Sequence, residues 1–147
     1  MKEGILIGID PDVDKSGVCI MINGRIDILK TSDFFKLFDE LNDADWFASL
    51  HDLPIMVYVE CGFLNKGNWR VNSKQSQSAA AKTAENVGRN HETAKKICEM
   101  CSYLGIKFEQ IRPTKAKINA KTFKSITKWE GQTNQEKRDA AMLIFGI

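Results

Sequence analysis

No apolar run in the 147 residues approaches the roughly 18 needed to cross a bilayer. The short apolar stretch at the start closes on Asp10 and has neither the length nor the small-residue cleavage site of a signal peptide. These absences argue against membrane and secreted readings, so a cytoplasmic protein is expected. Cysteine is sparse, at Cys19, Cys61, Cys98 and Cys101, and without an export signal these are expected to be reduced thiols. Cys98 and Cys101 are spaced C-x-x-C, but Met, Leu and Ile surround them in a helical pattern, and the second pair a zinc site would need is missing. Buried thiols are the expected outcome. No internal repeat or low-complexity run is present, which removes fibrous and disordered classes.

The chain has 43% apolar and 27% charged residues, ordinary values for a globular protein, and a length suited to one domain spanning 1–147. Such a length buries enough surface to fold without a disulfide or structural metal. The net charge is only +2, yet its distribution is uneven. Residues 1–60 carry 5 Lys/Arg against 12 Asp/Glu, whereas residues 61–138 carry 16 against 6. An acidic first part with a basic second part suggests acids gathered at a site and a cationic surface that attracts polyanions, although a merely solvated basic face would look the same.

Gly4 to Asp10 reads as a buried central strand, and Gly17–Ile22 with Arg25–Leu29 as a hairpin closed by Asn23-Gly24, the pair favoured in type I′ turns. Residues 32–50 have helical spacing with Ser32 or Asp33 as cap, in one piece or two. Ile55 to Glu60 is a second apolar strand ending in an acid. A polar loop follows over 61–74. Residues 75–104 read as one or two helices with Gly88 as a weak point, and 106–111 as a strand. Pro113 suits the first turn of a short helix, and two more helices are expected over 122–129 and 134–145, the last capped by Thr133 or Asn134. This order predicts an α/β fold, a mixed sheet with helices on both faces.

Two apolar strands thus end in carboxylates, Asp10 and Glu60. If they are parallel neighbours, both acids emerge at one sheet edge, where open α/β sheets place their sites. Glu136 and Asp139 share one face of the last helix at i, i+3, followed by the small residues Ala140 and Ala141 that allow close packing. Carboxylates gathered without His or Cys companions favour hard ions, Mg²⁺ or Mn²⁺. Each acid alone could be a turn residue, a surface charge or a helix ion-pair partner. Asp10, Asp12 and Asp14 also imitate a calcium loop, but Lys15 and Met21 stand where that loop needs Gly and Glu, so Asp12 and Asp14 read as turn residues.

Ile-Gly-Ile-Asp10-Pro11 followed by Ser16-Gly17 resembles the first motif of the RuvC-like Holliday junction resolvases of the ribonuclease H-like superfamily. Val57-Tyr-Val-Glu60 is similar to their second motif, and Gly88-Arg89 to their third landmark. Pro113 with Lys117 resembles their P-x-x-V-K segment, with Ala116 in place of valine, and Glu136-x-x-Asp139-Ala140 their final acid pair. The landmarks cover nearly the whole chain in order. Departures are Asp12 where glycine is common, a long polar insert containing Trp69, and a short last helix.

The resemblance implies a ribonuclease H-like fold with a central five-stranded mixed sheet. It also implies a structure-specific endonuclease in which Asp10, Glu60, Glu136 and Asp139 hold Mg²⁺, or Mn²⁺ in its place, as two ions roughly 3.5–4 Å apart. The products would be 5′-phosphate and 3′-hydroxyl ends. Lys117, Lys115 and Arg112 would hold phosphates, with Arg89 a further candidate, and Phe63 or Trp69 could stack on an unpaired base. The four-way junction has two symmetric scissile strands, so a homodimer is expected. Competing expectations are a ribonuclease H-like enzyme acting on RNA or hybrids, and a non-cleaving nucleic-acid-binding protein of the same fold.

Overall fold

Alternation along the first strand sets up two separate cores. In β1 (Ile5–Asp10), Ile5, Ile7 and Ile9 point to one side of the sheet, and Leu6, Gly8 and Asp10 to the other. This computed structural model describes residues 3–65, 76–114 and 116–147. β2 (Ser16–Ile22) and β3 (Arg25–Ser32) form the expected hairpin, with Asn23 at φ 50° and Gly24 at φ 84°, the two positive values a type I′ turn requires. β4 (Ile55–Glu60) and β5 (Phe108–Ile111) complete a five-stranded sheet in the order β3-β2-β1-β4-β5. β1 pairs antiparallel with β2 and parallel with β4, and β4 is parallel to β5.

The larger core lies between the isoleucine side of the sheet and two long helices, α1 (Phe34–Leu50) and α2 (Gln77–Leu104), through Leu37, Leu41, Ala94 and Ile97. The smaller core covers the opposite side, where Cys19, Met21 and Leu29 meet Phe123 of α3 (Ala120–Thr127) and Ala140 and Ala141 of α4 (Gln135–Met142), with Ile144 just beyond. Helices therefore cover both faces, and all four cysteines are buried free thiols.

The helix starts follow their caps: Asp33 accepts from Lys36 N, Asn119 from Thr122 N, and Asn134 from Lys137 N. α1 and α2 are each continuous. Gly88 does not break α2, because it faces open space and the flanking alanines and long side chains offset its propensity cost of about 1 kcal/mol. The short helix expected at Pro113 does not form: residues 112–114 are irregular, and α3 waits for its Asn119 cap. The Pro113 carbonyl accepts instead from Asn65 Nδ2 at 3.4 Å, which ties the segment after β5 to the one after β4.

Candidate active site

The register brings the first two acids together. Ile9 aligns with Val59 across the parallel β1–β4 pair, so Asp10 and Glu60 end side by side at one edge of the sheet. Both belong to the side of the sheet that α4 covers, as do Gly8 and Tyr58 before them. On the other flank of β1, Asp10 is aligned with Gly17.

Two glycines allow the last helix to close on this edge. A Cβ on Gly17 would collide with the backbone carbonyl of Glu136, and one on Gly8 with that of Ala140. Helix α4 thus rests its backbone directly on β1 and β2, close enough for Asp139 to reach the two strand-end acids. Asp12 shapes the preceding turn, as its turn-residue reading expects, by accepting from Asp14 N at 3.0 Å and Lys15 N at 3.2 Å.

The electrostatics of the cluster are unusual. Burial above all, then the charges of Glu60 and Asp139, push the Asp10 carboxyl up to about 8 against the opposing pull of Lys117. Glu60 is raised too, chiefly by burial. Lys117 works against the rise, Asp139 adds to it, and the hydrogen bond shared with Asp10 lowers it. Without metal the strand-end pair therefore keeps a proton at neutral pH, held on Asp10. The Lys117 ammonium stands among the same acids, with Nζ 2.6 Å from Asp139 Oδ2. Burial disfavours its charge, but the bond to Asp139 and the nearby Glu60 and Asp10 outweigh that and raise its pKa. Gln135 Nε2 holds the other Asp139 oxygen at 2.8 Å. Arg138 fixes this arrangement by donating to the Ile118 carbonyl, Thr133 Oγ1 and Gln135 Oε1, which staples the segment carrying Lys117 to α4.

Glu136 occupies a different place. Its pKa is raised by burial first, and then by Asp12, Asp139 and Asp14, so it faces the β1–β2 turn at the rim of the cluster. Among the described residues, no three His, Cys, Asp or Glu side chains already stand in ligating geometry. The donor set nevertheless suits a hard divalent cation. A proton on Asp10 and an ammonium among three carboxylates are the positive charges a metal-free site needs, and Mg²⁺ or Mn²⁺ at Asp10, Glu60 and Asp139 would supply that charge instead.

A stability prediction arises here. An unfolded Asp10 would titrate near 3.8, so the folded metal-free protein binds that proton more tightly. The stabilisation is complete below that value and is lost as pH rises through about 8. The raised pKa values of Glu60 and Glu136 act in the same direction. In EDTA the melting temperature should fall between about pH 5 and pH 8.5, and added Mg²⁺ should raise it more at the alkaline end. Differential scanning calorimetry at both pH values, with and without Mg²⁺, tests this; a metal increment larger at low pH would contradict it.

The remaining expected residues are distributed around the cluster. Arg112 and Lys117 line a cleft together with Glu60 and Asp139. Phe63 is half-buried in the 3₁₀ turn Gly62–Leu64, edge-on to His91 at 6.4 Å and under Lys95 Nζ at 5.4 Å. Arg89 is exposed and paired with Glu85 at 2.7 Å. It lies on the side of α2 away from Val87, Asn90 and His91, which line a cleft with Asp10 and Glu60. Trp69 and Lys115 lie outside the described residues.

His91 and Asn90 escaped the sequence reading. Asn90 Oδ1 accepts from Val13 N at 3.2 Å, pinning the β1–β2 turn to α2. Their signal was the helical face shared by residues 87, 90, 91 and 94, on which Ala94 is buried.

No family model matches the sequence, and no curated protein does. Its architecture is shared with solved structures, among them two of RuvC. RuvC of T. thermophilus in complex with a Holliday junction substrate superposes with a TM-score of 0.53 at 13% identity, covering 94% of this chain and 88% of that one. A further Thermus thermophilus RuvC structure gives 0.52 at 13% identity, covering 92% and 88%. The five-stranded mixed sheet with helices on both faces is thus a ribonuclease H-like fold, as in the RuvC structures.

Proposed function

We propose that this chain is a divalent-metal-dependent, structure-selective DNA endonuclease that cuts four-way junctions as a homodimer, leaving 5′-phosphate and 3′-hydroxyl ends. The observation that carries the reading is the meeting of Asp10, Glu60 and Asp139 around the Lys117 ammonium at one sheet edge. The RuvC-like fold supports it, and one of the similar structures is a complex with a Holliday junction.

Asp10, Glu60 and Asp139 would hold Mg²⁺ or Mn²⁺, with Glu136 completing the set from the rim. Bound there, a metal would supply polarisation of the phosphodiester, a lowered pKa for a water and neutralisation of the charge that grows in the transition state. The chain's own groups do the rest. Lys117 exchanges its carboxylate partner for a phosphate oxygen, and Arg112 adds a second cation on the same cleft wall. Lys115, two positions before Lys117 in the sequence, is a further phosphate candidate. His91 and Asn90 line a second cleft with Asp10 and Glu60 and would limit where the backbone of the substrate can lie. Phe63 and Trp69, in the segment after Glu60, are the candidates for stacking on bases freed at the branch point, and Arg89 for a more distant phosphate.

A gel assay with Mg²⁺ on a four-way junction, a flap, linear duplex and an RNA–DNA hybrid tests the proposal. Cleavage of the junction at least about tenfold faster than of linear duplex is expected. Preferential cleavage of the hybrid would favour a ribonuclease H-like activity. Junction binding without cleavage of any substrate would assign the chain to non-cleaving binders of this fold.

A further inference from the structure

Directly behind the cluster, two of the four thiols face one another. Cys61 follows Glu60 without an intervening residue, and its Sγ lies 3.9 Å from Cys98 Sγ of α2. Gln110 of β5 donates from Nε2 to the Cys98 sulfur at 3.6 Å. Cys61 is fully buried and its N–H is bonded to the Ile111 carbonyl at 2.8 Å. Cys98 is the outer member of the pair: 6% of it is exposed, and it opens onto a surface cleft lined by Phe63, Lys95, Phe108 and Gln110.

We propose that Cys98 and Cys61 form a peroxide-reactive dithiol site, in which oxidation to an intramolecular disulfide moves the backbone at Glu60 and weakens metal binding. The chemistry balances with hydrogen peroxide as the oxidant. The Cys98 thiolate attacks one peroxide oxygen, the O–O bond breaks, and the departing hydroxide takes up the proton released by Cys98. The Cys61 sulfur then attacks the resulting sulfenic sulfur, the S–S bond forms, and a second water leaves. In sum, two thiols give up two electrons and two protons, and peroxide becomes two waters.

Geometry decides both the selectivity and the consequence. A disulfide needs its sulfurs about 2.05 Å apart, so the pair must close by roughly 2 Å. Gln110 holds Cys98 beside its partner, whereas Cys101 faces the core one helical turn on and Cys19 sits across the sheet. The electrostatics agree: the contact with Cys61, helped by Gln110 and opposed by burial, brings the Cys98 thiol down to about 7, while burial pushes Cys19 and Cys101 up to about 12. Closing the pair draws Cys61 toward α2, and Glu60 is its covalent neighbour. Only this last step rests on the metal-site reading.

The test treats the full chain with a small excess of hydrogen peroxide at about pH 7.5, then maps peptides by mass spectrometry without reduction. A Cys61–Cys98 linked peptide, about 2 Da lighter than the two thiol peptides together and released by dithiothreitol, is expected. Peroxide-treated Cys98→Ser should yield no linked peptide, and Gln110→Leu, which keeps both thiols, should oxidise about fivefold more slowly. The Mg²⁺ concentration giving half the maximal thermal shift should rise at least about tenfold in the disulfide form. Both thiols remaining reduced, or a linkage of Cys98 to Cys101, would overturn the site. A mapped Cys61–Cys98 disulfide with an unchanged Mg²⁺ midpoint would overturn the coupling. A reduced protein with no Mg²⁺ response would remove both the coupling and the metal-site reading, while the mapped peptide still decides the thiol chemistry.

Discussion

Asp10→Asn should abolish Mg²⁺-dependent cleavage of a four-way junction while making the metal-free protein more stable at alkaline pH. The two effects share one cause. Asp10 is buried beside Glu60 and Asp139, and without metal it is neutral because its carboxyl is pushed up to about 8. Asparagine keeps the shape and the ability to donate to Glu60 but never has to give up a proton. Above about pH 8 the variant should therefore gain on the order of 1–2 kcal/mol, or roughly 3–6 °C in melting temperature. It loses the anionic oxygen a cation needs, and the cleavage rate should fall by at least about 10³-fold. Binding to the junction, measured by gel shift, should be retained, because the phosphate contacts proposed for Lys117, Arg112 and their neighbours are left intact. Glu60→Gln should lose cleavage in the same way. A protein that cut at full rate with Asn at position 10 would remove Asp10 from the site.

Gly17→Ala should destabilise the protein strongly by the addition of one methyl group. The new Cβ would enter the space held by the Glu136 carbonyl, which belongs to the backbone of α4 and cannot rotate away. Either α4 lifts or β2 bends, and a core that must absorb such overpacking loses about 3 kcal/mol. Gly8→Ala meets the Ala140 carbonyl in the same way and should cost a similar amount. Because Asp139 is carried by the helix that lifts, cleavage should drop further than the loss of folded protein accounts for. Urea denaturation with parallel activity measurements checks this. Gly88→Ala, at an exposed helix position facing open space, is the control and should be neutral or slightly stabilising. Equal stability of Gly17→Ala and the native chain would mean that α4 does not rest on β2.

The sheet was legible because its signals are local. Asn23-Gly24 fixed the hairpin, and two apolar runs ending in acids marked β1 and β4 as central strands with their carboxylates at one edge. The fold of α4 onto that edge could be inferred from Ala140 and Ala141, both fully buried. Other features depend on pairings that no single segment encodes. The staple made by Arg138 joins residues 20 positions apart in the chain, and the Lys117–Asp139 pair joins residues 22 apart. The clash that makes Gly8 and Gly17 necessary exists only once α4 lies across them. His91 was overlooked because one histidine in a polar helix carries no periodic signal of its own, and Pro113 misled because proline fits an irregular segment as well as a helix start.

The division of the hydrophobic interior has a consequence for how the acid cluster assembles. Asp10 and Glu60 terminate strands rooted in the larger interior layer, whereas Asp139 rides on a two-turn helix anchored by a handful of small side chains on the far side of the sheet. Fluctuations that loosen the molecule should reach that helix first, and the third carboxylate would come and go while the first two stay in place. A cation held by all three acids would then clasp a rigid half to a yielding half and latch the looser layer shut.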